Sequence, residues 1–100
     1  MARPIKWRRV EYIPKFRYFK PAGIERIKLE KNILKIEEVE AIRLRDLEGL
    51  EQKECAKSME ISRQTFQRVY NSAKKKVADS LINGKAIKVE GGHYTQNICN

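Results

Sequence analysis

The sequence predicts a mainly α domain: a three-helix helix-turn-helix fold with a small β element made by the two ends of the chain. In Gln52–Arg68 the apolar and small residues fall at a spacing that suits two short helices meeting at a tight turn. The segment after Ser62 carries an apolar stripe at helical spacing for about five turns. A chain of 100 residues is enough for one domain with a core of modest size.

Four side chains define the corner of the predicted helix-turn-helix. Ala56 is small enough for the second helix to cross closely over the first, and Ile61 fills the corner between them. Phe66 and Val69 then direct the second helix towards the core. Ser62 is the expected N-cap, because its hydroxyl can accept hydrogen bonds from the free backbone N–H groups that follow it. This pattern is typical of a motif that presents its second helix to the DNA major groove.

The turn between these two helices contains an unusual residue. Glu60 occupies the position that this motif usually fills with glycine. A backbone with positive φ costs about 1–2 kcal/mol when the residue is not glycine. The turn is therefore expected either to be strained or to have a different geometry.

Capping signals set the expected helix boundaries. Glu37 and Glu38 suit the positive end of the first helix, and Gly49 ends it. The other glutamates also fall at helix-surface spacing. The side chains expected to face inward from the first helix and the residues after it are Val39, Ile42, Leu47 and Leu50. The predicted helices run from about Ile36 to Glu48, from Gln52 to Met59 and from Ser62 to Ile82.

The third helix has two chemically different faces. At about 100° per residue, its apolar side chains fall within roughly 120° of the helix circumference. This apolar stripe comprises Phe66, Val69, Tyr70, Ala73, Val77 and Leu81. The opposite side carries Gln64, Gln67, Arg68, Asn71 and Lys75.

Both ends of the chain are predicted to be extended. Val10 and Tyr12 fall on one face of a strand, whereas Ile24–Leu34 reads as a connector with room for short structure. Ala86–Glu90 alternates like a strand, and its expected partner is the strand around Val10–Ile13. The predicted organisation is a basic N-terminal arm and β segment at 1–34, a helix-turn-helix at 35–84 and a C-terminal strand and tail at 85–100, within one domain.

The net charge of +9 is unevenly distributed. Residues 1–28 hold nine basic and two acidic side chains, a net +7. Residues 29–61 hold six and nine, a net −3, and residues 62–100 hold seven and two, a net +5. Two basic ends around an acidic middle indicate a polyanionic partner that contacts the arm and the last helix.

The exposed face of the third helix has side chains suited to reading DNA. Glutamine and asparagine pair bidentately with adenine, and arginine pairs with guanine, each worth about 1–3 kcal/mol of discrimination. Lysines further along the helix, Lys74, Lys75 and Lys76, are better placed for phosphates. Arg3, Lys6, Arg8 and Arg9 of the arm could add contacts along the duplex. The candidate DNA-binding residues are Arg63, Gln64, Thr65, Gln67, Arg68, Asn71, Lys74, Lys75, Arg8 and Arg9.

Several short sequence motifs, spread over nearly the whole chain, resemble those of a known family. They are YFKPAGI, LEGL, SRQTF, AKKKVADSL, NGKA and EGGHY. The segment from Glu38 to Leu81 resembles the DNA-binding region 4 of the sigma-70 class. The whole chain is similar to a family of predicted DNA-binding proteins called domain of unknown function 134, or uncharacterised protein family 0251. The resemblance implies a sigma-70 region-4-like helix-turn-helix. Family members often carry cysteines near the positions of Trp7 and Glu11. Neither residue is cysteine in this chain, so no metal site is carried over to those positions.

The sequence gives no indication of an enzyme, a cofactor or a metal site. It has one histidine, His93, which is assigned to a C-terminal tail, and no Cys-x-x-Cys or glycine-rich phosphate loop. Cys55 and Cys99 lie far apart and are typical of a reduced cytoplasm. No apolar run approaches the ~20 residues needed to cross a bilayer.

The expected partner is double-stranded DNA, contacted by a transcriptional regulator. A homodimer is also expected, because one short helix reads few base pairs and dimers bind paired half-sites. The candidate dimer interfaces are the apolar remainder of the Tyr70–Leu81 stripe and an unpaired terminal strand. Two alternatives remain open: a protein-interaction module that binds a polymerase or another partner, and an RNA-binding protein.

Overall fold

The helical part of the chain consists of three helices joined by short turns. The computed structural model describes residues 7–96, whereas residues 1–6 and 97–100 lie outside its described part. Helix α1 spans Ile36–Ile42 and continues into a π-helical turn at Arg43–Leu47. Helices α2 and α3 span Gln52–Ser58 and Arg63–Asn83. The predicted mainly α fold with a small β element is confirmed.

The strands form two small sheets at one side of the helices. They are β1 (Arg8–Arg9), β2 (Tyr18–Phe19), β3 (Lys31–Leu34), β4 (Ala86–Val89) and β5 (Tyr94–Thr95). In the three-stranded sheet, β4 lies in the middle, antiparallel to β2 and parallel to β3. In the other sheet, β1 pairs in parallel with β5.

This pairing corrects the expected partner of the C-terminal strand. β4 does not pair with Val10–Ile13; it pairs with β2 and with β3, which lies in the predicted connector Ile24–Leu34. The sequence pattern does not indicate β3, because the side chains of this strand do not alternate regularly between apolar and polar. Val10 and Tyr12 also differ from expectation, since Val10 is fully buried whereas Tyr12 is exposed.

The core has two parts that meet at α1 and α3. The first part fills the angle between the three helices and includes all the predicted corner residues. The second part joins the helices to the strands through Val10, Leu34, Ile36, Ala73 and Val89. Helix α3 therefore contributes its first half to the helix-turn-helix and its middle to the sheet side of the domain.

The π-helical turn corrects the predicted inward face of the first helix. Leu47 was expected to face inward, but its side chain is 78% exposed. Leu44 is buried in its place, beside Ala41. A π-helical turn contains more residues per turn than an α-helix, so it changes the phase of every side chain that follows. Leu50 lies against the first part of the core, as predicted.

Three glutamates of α1 are buried, contrary to their assignment to the helix surface. Glu38 accepts hydrogen bonds from the backbone N–H of Lys35 at 2.8 Å and from the Ser72 hydroxyl at 2.6 Å. It also pairs with the Lys76 ammonium at 2.7 Å. This one carboxylate thus caps α1 and attaches it to α3. Lys76, expected to contact phosphate, is instead part of the fold.

The other two buried carboxylates hold the ends of the chain. Glu40 accepts from the Glu11 backbone N–H at 2.9 Å and forms a two-point contact with the Arg43 guanidinium, at 2.9 Å for each atom pair. Glu37 accepts from the backbone N–H of His93 at 3.1 Å. His93 is therefore not in a free tail. Its ring lies edge-on to Trp7, and its backbone precedes β5.

The ends of α3 match the sequence-based prediction. Ser62 caps the helix, because its hydroxyl accepts from the Thr65 backbone N–H at 3.1 Å. Gly84 ends it in the left-handed conformation at φ 66°. Glu60 has φ 57°, the positive value that glycine usually provides, so of the two expectations for the turn the strained one is correct.

Replacing Glu60 with glycine should stabilise the protein by about 0.5–1 kcal/mol. The substitution relieves backbone strain of about 1–2 kcal/mol. Part of this gain is offset, because glycine loses more conformational entropy on folding than glutamate does. Denaturant unfolding followed by helical circular dichroism measures the difference. The matched control is Gly84→Ala, where an added Cβ meets nothing within 4 Å and only the backbone conformation at φ 66° opposes it. The control should lose about 1 kcal/mol, and an unchanged stability of E60G would contradict strain in the turn.

The cluster around Asp79 should make stability sensitive to acid. Hydrogen bonds from Asn83, Asn32 and Lys85 lower the pKa of Asp79 from 3.8 to about 2. Because the folded pKa lies below the unfolded one, this contribution is fully present above pH 4 and is lost as the pH falls towards 2. Asp79→Asn should therefore reduce stability at pH 6 and flatten its decline between pH 4 and pH 2.

Chemical denaturation at a series of pH values checks this prediction. Asn83→Ala should reproduce part of the flattening, because the Asn83 amide donates to Asp79 at 2.7 Å. Glu25→Gln, in an exposed pair with Lys28 at 3.9 Å, serves as the control. An equally steep decline in the wild type and in D79N would show that Asp79 is not the source of the acid sensitivity.

Candidate nucleic-acid interface

The outer face of α3 carries a compact group of exposed polar side chains. Gln64, Gln67, Arg68 and Asn71 are exposed and together line one open recess of about 440 Å³. They belong to the first half of the helix, directly after its cap at Ser62. Most of the side chains predicted to read bases are thus brought to one surface. We call these four residues the reading face.

Buried aromatic contacts hold α3 in place behind the reading face. Phe66 and Tyr70 are buried with their rings stacked at a centroid distance of 5.6 Å. The Tyr70 hydroxyl donates to Asp46 at 2.5 Å, which joins α3 to the π-helical turn. This hydrogen bond, with burial, raises the pKa of Tyr70, so the phenol stays protonated at neutral pH. The reading face therefore stands on a helix that is fixed on its inner side.

Arg63 and Thr65 flank the reading face near the start of the helix. Arg63 is exposed, whereas Thr65 is half-buried. The Thr65 hydroxyl lies 2.9 Å from the Ser62 hydroxyl and accepts from the Arg68 guanidinium at 3.3 Å. Thr65 therefore orients the cap and Arg68.

Lys74 and Lys75 are exposed beyond the reading face, further along α3. The Lys74 ammonium lies 4.4 Å from the centroid of the Tyr70 ring, a cation–π contact that leaves its charge at the surface. Lys76, the next residue, is bound to Glu38 as described above. Two of the three consecutive lysines are thus available to a partner.

The structure places Arg9 beside the turn of the helix-turn-helix and Arg8 beside His93. Arg9 donates its backbone N–H to the Met59 carbonyl at 2.9 Å and its guanidinium to the Ser58 carbonyl at 3.0 Å. Its guanidinium also lies 3.7 Å from Glu11. Both arginines are half-buried, and Arg8 donates its backbone N–H to the His93 carbonyl at 3.1 Å. Arg3 and Lys6 lie outside the described residues, so a DNA contact by the arm stays a prediction.

The reading face and its flanks form a region of uncompensated positive charge. The sequence from Ser62 to Ala78 contains no aspartate or glutamate. Within residues 7–96, the ion pairs do not involve Arg63, Arg68, Lys74 or Lys75. By contrast, Arg43, Lys76 and Lys85 are paired with carboxylates. The surface of α3 is therefore both polar enough to bind base edges and charged enough to attract a polyanion.

The remaining candidates for a chemical role are the side chains that could bind a metal ion and the thiol of Cys55. No group of three or more histidine, cysteine, aspartate or glutamate side chains able to hold a metal ion occurs among residues 7–96. Cys55 is fully buried, and burial raises the pKa of its thiol, which disfavours the reactive thiolate. Cys99 lies outside the described residues. None of the helices in the described part is long and apolar enough to cross a membrane.

Sequence reasoning missed Asp46, the residue that positions Tyr70. A buried tyrosine hydroxyl usually has a hydrogen-bond partner, so Tyr70 in an apolar stripe signals that a partner exists. The identity of that partner is not readable, because Asp46 lies 24 residues earlier on another element. Only the packing of α3 against the π-helical turn brings the two together.

Comparison with known proteins matches residues 1–97 to the family described as "Protein of unknown function DUF134". A UPF0251 protein of Halothermothrix orenii is 64% identical over 94 residues, which cover 94% of this chain and 70% of that protein. A UPF0251 protein of Clostridium tetani is 54% identical over 99 residues, which cover 99% of this chain and 67% of that protein. For a UPF0251 protein of Clostridium botulinum the values are 54% over 99 residues, 99% of this chain and 63% of that protein. The chain thus spans about two thirds of the length of these relatives. No solved structure matches it significantly.

Proposed function

The chain belongs to the DUF134 family of proteins of unknown function, and we propose that it is a sequence-specific DNA-binding protein that reads the major groove with helix α3. In this proposal it acts in the cytoplasm as a transcriptional regulator, and its partner is double-stranded DNA. The helix-turn-helix arrangement of α2 and α3 is the fold-level support, and the resemblance of the sequence to sigma-70 region 4 agrees with it.

One observation carries the proposal: an exposed polar reading face on a capped helix, with cationic flanks that have no carboxylate partner among residues 7–96. A solvated helix face in a stable protein normally mixes both signs of charge, because like charges on one helix repel. Here the acidic residues lie mainly on the preceding elements. The surface of α3 is thus complementary to a polyanion, which is the property that DNA binding requires.

The side chains of the reading face suit base edges in the major groove. Gln64, Gln67 and Asn71 can each pair with N6 and N7 of adenine, and Arg68 can pair with O6 and N7 of guanine. Their place on the first half of α3 agrees with recognition helices, which contact base edges through their N-terminal residues. Arg63, Lys74 and Lys75 are assigned to phosphates on either side, where they position the helix without reading sequence.

Replacing Gln64 or Arg68 with alanine should weaken binding to specific sites by about 1–3 kcal/mol and spare non-specific binding. The preferred site is first selected from random duplex DNA, and each variant is then titrated on that site and on a scrambled duplex. Both side chains are exposed, so the variants should keep the wild-type fold. Lys31→Ala, an exposed change on β3, is the control. Failure to enrich any site would refute sequence-specific binding, and equal loss on both duplexes would refute base reading.

Replacing Lys74 and Lys75 together with glutamine should weaken specific and non-specific binding alike. Each lost phosphate contact lowers the slope of log K against log salt by about 0.9, so the double variant should lose about 1.8. Titrations at four or more salt concentrations give the slope. The charge-matched control, Lys15→Gln with Lys31→Gln, removes two exposed charges outside α3. If the control flattens the slope as much as the α3 variant does, the lysines of α3 make no particular phosphate contact.

A further inference from the structure

An apolar groove runs along the side of the domain that is formed by α1, α3 and the sheet. Its deeper part is a recess of about 380 Å³ whose walls include Phe16, Phe19, Ile42 and Val77. A second recess of about 540 Å³ shares Ile42 and Val77 and continues along α3 to Leu81. We call these two connected recesses the apolar groove.

Large apolar side chains border the groove and remain exposed. Phe16 and Leu81 are each 76% exposed, and Phe19 is 55% exposed. Leu81 is the last residue of the apolar stripe of α3, whose remainder from Tyr70 to Leu81 was a candidate dimer interface in the sequence. The exposed Leu81 places the end of the stripe at the groove.

The exposed apolar area of the groove is similar to the apolar part of one side of a standard protein interface. A fully exposed aromatic side chain contributes about 150–250 Å², so Phe16, Phe19 and the exposed Tyr12 together expose roughly 350 Å². Leu81 and the groove floor raise this to about 450–500 Å². A stable interface buries about 800 Å² on each partner, of which about 56–65% is apolar. The exposed apolar area therefore matches one side of a standard interface.

The shape of the groove suits a contact with the same surface of a second copy. It combines a concave floor with protruding side chains at its border, the combination that a two-fold symmetric contact requires, since each copy must offer both. The recess beside Leu81 is also lined by Asp46, Lys74 and Lys75, which place both signs of charge at one edge.

We propose that the apolar groove is the homodimer interface, and that its occupant is the same surface of a second copy of this chain. Val77 and Leu81 lie on a different side of α3 from the centre of the reading face, about 130° and 90° away at 100° per residue. Dimerisation would thus bury the groove while leaving the reading face of each copy exposed. The association itself does not depend on DNA. Its consequence, the pairing of two reading faces for two half-sites, rests on the proposed function.

Analytical ultracentrifugation of the protein without DNA, over a wide range of concentrations, tests the proposal. The wild type should show a concentration-dependent monomer–dimer equilibrium. Phe16→Asp and Leu81→Asp should each raise the dissociation constant at least tenfold, because they place a charge in the apolar centre of the contact. Both residues are mostly exposed, so the helical circular dichroism of the variants should remain that of the wild type.

Ile82→Asp is the matched control. Ile82 adjoins Leu81 on α3 and is 82% exposed, but it does not line the groove. I82D should dimerise like the wild type. A monomeric wild type at all concentrations would overturn the proposal and leave the groove to a different protein or to an apolar small molecule. An equal effect of L81D and I82D, or dimers that persist in both F16D and L81D, would overturn it as well. None of these results depends on whether the protein binds DNA.

Discussion

The buried carboxylates of helix α1 are the contacts on which the rest of the structure depends. Glu37, Glu38 and Glu40 extend from one short helix to three separate parts of the chain: the residues before β5, the middle of α3 and the segment after β1. Each is satisfied by hydrogen bonds, and two of them also pair with a cation, Lys76 or Arg43. Removing one partner of such a buried pair is strongly destabilising, because it leaves an uncompensated charge in the interior. Helix α1 is thus the centre that both ends of the chain are attached to, although it is the least conspicuous helix in the sequence.

Helix α3 combines three roles along its length. Its first half packs against α2 through Phe66 and Tyr70, and turns the reading face outward. Its middle is tied to α1 by Lys76, and its last turns reach the groove at Leu81. Because a helix is stiff, a partner that binds at Leu81 sets the direction of the reading face as well. This mechanical continuity links the proposed dimer contact to the proposed DNA contact.

The distribution of charge also follows a structural division. Three acidic residues of the middle segment are buried, and two of them, Glu38 and Glu40, pair with cations of the fold. The cations of α3 that remain at the surface have no such partners among the described residues. Part of the acidic charge in the sequence is therefore not displayed at the surface. The cations that pair with it, Lys76 and Arg43, are withdrawn from the surface together with it, so the positive surface of α3 rests on Arg63, Arg68, Lys74 and Lys75.

The sequence by itself determined the helix-turn-helix, the cap at Ser62, the unusual turn at Glu60, the length of α3 and the composition of the reading face. These features depend on contacts within one turn of helix or between neighbouring helices, and such contacts leave a local periodicity in the sequence. Only the tertiary structure decided the strand order, the burial of the α1 glutamates, the engagement of Lys76 and Arg9, and the exposure of Leu47 and Leu81. Glu37 meets His93 across 56 positions, and Glu38 meets Lys76 across 38. No local pattern records such pairs, because a glutamate that will be buried against a distant partner has the same helical spacing as one that faces water.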